Sequence, residues 1–237
     1  MRRDSLLSLS TALNLVLLGV ILGGWTGPNT PTSFNETVDT PRFPRTTFVH
    51  PMSTLTGNVT LGERVYVAPS ASVRGDEGQP IYIGDESNVQ DGVVLHGLET
   101  EEDGVPIEKN MVTVDGNKYS VYVGKRVSMA HQSQVHGPAR VGDGTFVGMQ
   151  ALVFKADVGA GCVLEPGAKV IGVKIEAGRY VPAGMVVNRQ ELADGLPKIT
   201  EDYAFRSLNE AVVHVNSEFA DGYSGNRKAH GAESGHH

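Results

Sequence analysis

The feature that most constrains the fold is an aliphatic residue that recurs every six positions through most of the chain. The repeated positions are Leu61, Val67, Val73, Ile83, Val89, Leu95, Val123, Met129, Val135, Val141, Val147, Val153, Val158, Leu164, Ile175 and Val181. This period fits neither an amphipathic helix nor a single alternating strand. It is the signature of a hexapeptide parallel β-helix, in which each hexad forms one short strand and one turn and three hexads complete a coil.

A second series follows the first. Four positions after the aliphatic residue, most hexads carry a small or β-branched residue that fits where the chain turns a corner: Val65, Ala71, Ser87, Val93, Val127, Ser133, Ala139, Thr145, Ala151, Cys162 and Ala168. We therefore predict a mainly β domain over 51–187 with the aliphatic residues inside the prism. Cys162 is the only cysteine, so no intrachain disulfide forms, and we interpret it as a buried filler.

Two insertions break the register. Four extra residues fall at 79–82 and twenty-two at 101–122, the second within an acidic loop spanning 99–122. Insertions in a solenoid emerge as loops and often mark the binding face. Beyond 188 the period ends, and the apolar spacing over 201–223, with Thr200 as N-cap, predicts a helix packed outside the prism. The C-terminal segment 188–223 is therefore predicted to be helical.

The two ends of the chain differ from this body. Arg2 and Arg3 precede a mostly apolar run over 6–25, which is the layout of an export signal. We predict an export signal or an uncleaved signal anchor over 1–26, a linker and N-terminal extension over 27–50, and a disordered tail over 224–237. The expected location is extracytoplasmic, with membrane contact only through the N-terminal segment.

Composition and net charge narrow the classes of partner that this chain can have. The chain has 29 glycines, as many tight turns require, and a net charge of −7 with no basic stretch in its body. Nucleic acid is therefore not an expected partner.

Three histidines can be placed by counting hexads. His96 follows Leu95 and His136 follows Val135, and without the long insertion their hexads lie one coil apart. Both should point outward on one face, about 4.8 Å apart, which suits ligands of one metal. His131 belongs to the preceding hexad and a neighbouring face, so it reaches the pair only from another subunit, as a threefold axis allows. Three imidazoles with room for water form an open, catalytic type of metal site.

Counting also places two carboxylates near this pair. Glu77 and Glu99 each occupy the fourth position of a hexad, where other hexads carry a small residue, and each stands where the chain leaves the coil into an insertion. Two carboxylates that break the small-residue rule beside candidate ligands indicate a functional site. The alternative is that both carboxylates only cap exposed turns. Arg74 and Asp76 share the face of His96, whereas Gln90 shares the face of His131.

Three stretches carry a resemblance to a known family. They are Arg74-Gly-Asp-Glu77, Ser87-Asn-Val-Gln-Asp-Gly-Val-Val-Leu-His96 and Ala130-His-Gln-Ser-Gln-Val-His-Gly137. They resemble the γ-class carbonic anhydrases, in the archaeal form that carries an acidic loop. The resemblance implies left-handed coiling and a homotrimer with zinc, or iron or cobalt, at each subunit interface. His96 and His136 resemble the ligands from one subunit and His131 the ligand from its neighbour.

The resemblance also implies roles for other residues. Glu77 resembles the carboxylate that handles the proton of metal-bound water, and Glu99 resembles the proton shuttle. Gln90 and Asn216 resemble amides that orient hydroxide or bicarbonate. The residues expected to contact substrate or an interface are Arg74, Asp76 and Asn88, the first two as a pair that bridges subunits. His214 departs from the family, where a tyrosine is expected.

The activity implied is reversible hydration of CO2 to bicarbonate and a proton by metal-bound hydroxide, that is, a carbonate dehydratase. A hexapeptide-repeat acyltransferase and a non-catalytic γ-like assembly subunit remain alternatives. The third histidine and both glutamates argue against the acyltransferase, which needs one base and no metal. The acidic loop with Glu99 argues against the assembly subunit, which need not keep it.

Overall fold

The computed structural model describes residues 25–225 of the 237-residue chain. In chain order its strands are β1 (Thr26–Gly27), β2 (Phe48–Val49), β3 (Thr54–Gly57), β4 (Val59–Leu61), β5 (Tyr66–Val67), β6 (Ser72–Gly75), β7 (Ile81–Ile83), β8 (Asn88–Val89), β9 (Val94–His96), β10 (Glu101–Glu102), β11 (Val105–Pro106), β12 (Val112–Val114), β13 (Asn117–Tyr119), β14 (Val121–Val123), β15 (Ser128–Met129), β16 (Gln134–His136), β17 (Ala139–Val141), β18 (Phe146–Val147), β19 (Leu152–Phe154), β20 (Asp157–Val158), β21 (Val163–Leu164), β22 (Lys169–Ile171), β23 (Lys174–Ile175), β24 (Tyr180–Val181) and β25 (Val186–Val187). The helices are α1 (Gln190–Asp194) and α2 (Leu208–Ser224), and Glu108–Asn110 forms a 3-10 turn.

The strands form three parallel sheets, which are the faces of a prism. Face 1 has the order β1-β3-β6-β9-β16-β19-β22-β25, face 2 the order β2-β5-β8-β15-β18-β21-β24 and face 3 the order β4-β7-β14-β17-β20-β23. The chain visits faces 2, 1 and 3 in turn, so that each circuit adds one strand to every face. This is a left-handed parallel β-helix with a C-terminal helix, and the predicted fold class is confirmed.

The repeated aliphatic residues fill the prism. Val73, Leu95, Val135 and Val153 stack in register on face 1 and are fully buried, and each such side chain contributes about 1.5–3 kcal/mol through burial. Cys162 is also fully buried at its corner, as predicted.

Glycines allow the coils to approach closely at the turns. A Cβ on Gly84 would lie 2.7 Å from the backbone carbon of Gly124 in the next coil. A side chain at this position would therefore push two coils apart. Close contacts of this kind between coils account for part of the high glycine content.

The stretch over 27–50, predicted as a linker and extension, instead belongs to the first coil. β1 pairs with β3, β2 pairs with β5, and Arg42 bridges to Thr60 on face 3. Val49 lies twelve residues before Leu61 and packs against the core, so the six-residue series does reach β2. In β1, by contrast, Thr26 occupies the position beside Leu55 and carries no aliphatic side chain. The start of the chain, with the predicted export signal, and most of the predicted tail lie outside the described residues.

The C-terminal helix starts later than predicted. Residues after Thr200 form turns, and α2 begins at Leu208 after Ser207, which makes no side-chain cap. In these turns the ring of Tyr203 stacks on Tyr180 at 4.2 Å and its hydroxyl donates to Glu165. α2 packs on face 2. No helix among residues 25–225 is long and apolar enough to cross a membrane.

Both insertions leave the prism at the corner between faces 1 and 3. The long insertion contains two small hairpins, β10–β11 and β12–β13. Tyr119, at the end of β13, lies against Tyr82 and Tyr122 on face 3 at ring distances of 6.0 and 5.2 Å. The insertion therefore returns to the prism over an aromatic contact.

Candidate metal centre and family

His96 and His136 stand side by side on face 1. They end β9 and β16 and are paired in register, with ring centroids 5.3 Å apart and ring planes at 83°. Their neighbours Leu95 and Val135 are fully buried, so the alternation of side chains along a strand turns both imidazoles outward. This is the arrangement that counting hexads predicts.

Charged side chains from the coil below surround His96. Its Nε2 lies 2.9 Å from Arg74 Nη2, 3.2 Å from Glu77 Oε1 and 3.4 Å from Asp76 Oδ1. Hydrogen bonds to Asp76 and then to Glu77 raise the pKa of His96 to about 9, against burial and the Arg74 charge, which both oppose the shift. The same contact with His96 lowers the pKa of Asp76. The site therefore favours positive charge at the Nε2 atom of His96.

The orientation of His136 is fixed through its other nitrogen. Its Nδ1 lies 3.2 Å from the carbonyl oxygen of Gly137, which can only accept a hydrogen bond. Nδ1 therefore carries the hydrogen and donates it, which leaves the Nε2 lone pair free. Phe154 in the next coil packs edge-on against the ring at 5.4 Å. A backbone acceptor behind one nitrogen is the usual support of a metal-ligating histidine.

His131 lies at the edge of face 2, apart from the other two histidines. Its side chain is 53% exposed, and its Nδ1 lies 3.1 Å from Asp91 Oδ2. Asp91 accepts from this nitrogen and so leaves Nε2 free, as Gly137 does for His136. Asp91 was not predicted, although a signal existed. It follows Val89 by two residues, as His131 follows Met129, and those two strand residues pair in register.

The two predicted amides share a cleft of about 390 Å³ with His131. Gln90 and Asn216 are each 7% exposed. Gln90 Nε2 donates to Asn88 Oδ1 at 3.0 Å, and Asn88 Nδ2 donates to Ser128 Oγ at 3.0 Å. Asn88 was predicted to contact substrate or an interface, but within the chain it is fully buried and its side chain contacts Gln90 and Ser128.

Glu99 stands at the start of the long insertion with its side chain exposed. Its carbonyl oxygen accepts a hydrogen bond from Asn110 Nδ2 at 2.8 Å. The structure therefore brings Arg74, Asp76, Glu77, His96 and His136 together on face 1. It places Gln90, Asn216 and His131 at face 2, and Glu99 at the exit into the insertion.

The donor set on face 1 fits a cation. Among residues 25–225, ligand atoms of Asp76, Glu77 and His96 all lie within 4.8 Å of one another. The other carboxylate oxygen of Glu77, Oε2, is buried and makes no hydrogen bond, and leaving a buried carboxylate oxygen unpaired costs free energy. An ion or a donor beside it would remove this cost. A cleft of about 340 Å³, lined in part by these acidic residues, adjoins them.

A comparison with known proteins decides the family. The carbonic anhydrase of Methanosarcina thermophila is 58% identical over 196 residues, which cover 82% of this chain and 79% of that protein. The chain belongs to the γ-class carbonic anhydrases. The family predicted from the sequence is confirmed, and membership implies a carbonate dehydratase with a metal cofactor.

The chain is also similar to proteins that are not described as carbonic anhydrases. The carboxysome assembly protein CcmM of Nostoc sp. is 38% identical over 193 residues, 81% of this chain but 33% of CcmM. The carnitine operon protein CaiE of Escherichia coli is 32% identical over 171 residues, 71% of this chain and 69% of CaiE. No family model matches the chain.

One solved structure shows the shared fold of the γ-class chain. A hexapeptide transferase family protein from Anaplasma phagocytophilum superposes with a TM-score of 0.58 at 20% identity, over 78% of this chain and 93% of that one. At this identity the likeness extends to the fold alone, because one fold serves unrelated activities. The acyltransferase and assembly alternatives are therefore less supported than carbonic anhydrase.

Proposed function

We propose that the protein catalyses the reversible hydration of CO2 to bicarbonate and a proton at metal centres shared between the subunits of a homotrimer. In each centre His96 and His136 come from one subunit and His131 from the next. One observation carries the proposal: the two imidazoles lie in register beside the Glu77 carboxylate, in a chain 58% identical to a carbonic anhydrase.

The surface around His131 supports the trimer. Met149, Phe205, Val215 and Phe219 are each more than 40% exposed, and they line the two clefts that flank His131. Grouped apolar side chains on a soluble protein are typical of a contact surface. A second copy over this surface would bury them and bring the two faces together.

Arg74 and Asp76 support the same interface. Arg74 is 47% exposed and its Nε lies 3.3 Å from Asp76 Oδ2 in its own chain. In the trimer we expect the guanidinium to pair with Asp76 of the neighbour. This exchange would move the guanidinium away from Nε2 of His96.

A divalent cation held by His96, His136 and His131 of the next subunit would lower the pKa of water toward neutrality and so would supply hydroxide for the hydration of CO2. Three imidazoles suit zinc, iron or cobalt, and we propose one such ion for each subunit interface. Glu77, beside the ligand pair, accepts the proton. Glu99, exposed at the insertion, passes it to buffer. The amides of Gln90 and Asn216 orient hydroxide or bicarbonate.

We also propose that the protein works outside the cytoplasm. The support is the sequence of the N-terminal segment, where Arg2 and Arg3 precede an apolar run. Fractionation of cells that express the full chain, with mass determination of the N-terminal peptide, tests both location and cleavage. Recovery of the uncleaved chain in the cytoplasm contradicts the proposal.

The activity is tested on anaerobically purified protein by measuring metal content and CO2 hydration together. We expect hydration to rise in proportion to metal per subunit and to disappear in His96→Ala. His50→Ala is the matched control, since His50 lies outside the site on the first coil and should keep full activity. A metal-loaded trimer that does not hydrate CO2 contradicts the proposed function.

A further inference from the structure

Thr100 is a buried polar residue that the proposed chemistry does not use. It is 2% exposed and follows Glu99 at the start of the long insertion. Its hydroxyl donates to the carbonyl oxygen of Glu77 and accepts from the backbone N–H of Gln79, both at 2.8 Å. Its own backbone N–H also donates to the carbonyl of Glu77 at 3.1 Å. Three hydrogen bonds therefore join the beginning of one insertion to the corner of the other.

The corner at Glu77 is shaped around this hydroxyl. Gly78, which lies between the two bonded residues, has a φ of +101°, and a Cβ on it would stand 2.3 Å from Thr100 Oγ1. The backbone thus adopts a conformation that favours glycine in order to approach the threonine. The contact is part of how the turn is built and not an incidental surface bond.

The other side of Glu99 is fixed as well. Asn110, itself 4% exposed, donates from Nδ2 to the Glu99 carbonyl at 2.8 Å. The backbone N–H of Ile107 donates to the carbonyl of Thr100 at 2.8 Å. The side chain of Glu99 is exposed, but the backbone that carries it is held on both sides.

We propose that Thr100 is a positioning residue that fixes Glu99 relative to Glu77. The inference rests on the proposed function, in which these two carboxylates hand on the proton. Proton transfer depends on short and constant distances between the groups, and a displacement of about 1 Å can cost about 100-fold in rate. The coil already fixes Glu77, so the hydroxyl of Thr100 sets where the insertion, and with it Glu99, begins.

The test compares Thr100→Val, which removes the hydroxyl and keeps the shape, with Thr100→Ser, which keeps the hydroxyl. We expect Val to lower kcat roughly 10-fold while kcat/KM stays within about threefold, because proton transfer to buffer limits kcat alone. Added imidazole should restore kcat, since a small buffer replaces the displaced shuttle. Ser should resemble the wild type, and so should Thr113→Val, the same change at an exposed position of the same insertion.

A second readout does not depend on activity. In metal-free protein, hydrogen exchange at the amides of Gln79 and Ile107 should be faster in Thr100→Val and unchanged in Thr100→Ser. If Thr100→Val does not fold, Asn110→Ala removes the bond on the other side of Glu99 and should give the same imidazole-restored loss of kcat. Faster exchange with unchanged kcat overturns the proposal. An inactive metal-loaded wild type instead defeats the proposed function, while the exchange data still report on the contact.

Discussion

His96 and His136 occupy equivalent positions of consecutive coils, paired in register with their rings 5.3 Å apart and nearly perpendicular. The repeat brings them together across the long insertion, and the buried residues beside them turn both rings outward. His131, at the edge of another face, remains outside this pair within one chain. The first and fifth predictions test that separation.

The first prediction concerns assembly. We expect the metal-loaded protein to be a trimer at dilute concentration, because a threefold axis brings every His131 to the pair of the next subunit. Light scattering should give three times the mass of one chain. A stable and active monomer would contradict the shared site.

The second prediction concerns Glu99. Replacement by Ala should lower kcat by about 100-fold and largely spare kcat/KM, because the shuttle acts after the CO2 step. Stopped-flow assays with increasing imidazole should show recovery of kcat. Glu102→Ala, at an exposed position of the same insertion, is the control and should show little change. A collapse of kcat/KM would mean that Glu99 serves the CO2 step or the structure.

The third prediction concerns the core. Leu95 is fully buried, and Leu95→Ala should destabilise the protein by about 2–5 kcal/mol through lost burial and a cavity. Val94→Ala is the matched control in the same strand, since Val94 faces outward and is 37% exposed; its effect should lie within about 0.5 kcal/mol. Chemical denaturation at one protein concentration measures both. Equal effects would contradict the inward and outward assignment of this strand.

The fourth prediction concerns Cys162. Burial raises the pKa of its thiol, so the native protein should contain less of the reactive thiolate than a free cysteine does at pH 8. Native protein should react slowly with a thiol reagent, and protein unfolded in guanidinium should react at the rate of a free thiol. Rapid labelling of the native protein would show that this corner opens.

Much of the fold could be predicted because the inside of the prism accepts one aliphatic residue per hexad, and this demand is visible in the sequence. The coil over 27–50 was predictable only in part, because Val49 continues the six-residue series whereas β1 places Thr26 beside Leu55 and breaks it. The start of α2 was predicted at 201 but lies at Leu208, because apolar spacing alone does not distinguish a helix from a packed turn. Tyr203 has the spacing of a helical residue in the sequence, yet it packs on Tyr180 from within a turn.

The positions of the site residues on the coil could also be predicted from the sequence, but their hydrogen bonds could not. Register counting was enough to stack His96 on His136 and to place Glu77 on their face. Counting did not predict the hydrogen bonds that orient each histidine, because these depend on side-chain directions and on carbonyl groups such as that of Gly137. Asp91 was within reach of the same counting. The contacts of Thr100 could not be predicted in this way, because the residues of an insertion follow no repeat.

The fifth prediction uses two inactive variants to test the shared site. His96→Ala and His131→Ala should each be nearly inactive alone, because every site of either homotrimer lacks one ligand. In a trimer that contains both variants, one site combines an intact pair with an intact His131. His96→Ala mixed with His136→Ala is the control, since both changes fall within the same pair and no site can be complete.

The decisive measurement is CO2 hydration after equal amounts of His96→Ala and His131→Ala are unfolded and refolded together. Random exchange gives roughly three mixed trimers in four, each with one complete site in three. Activity should return to roughly one quarter of the wild type, while the control mixture stays inactive. If the co-refolded mixture remains as inactive as its parents, all three histidines serve one chain, and the account of a centre shared between subunits is wrong.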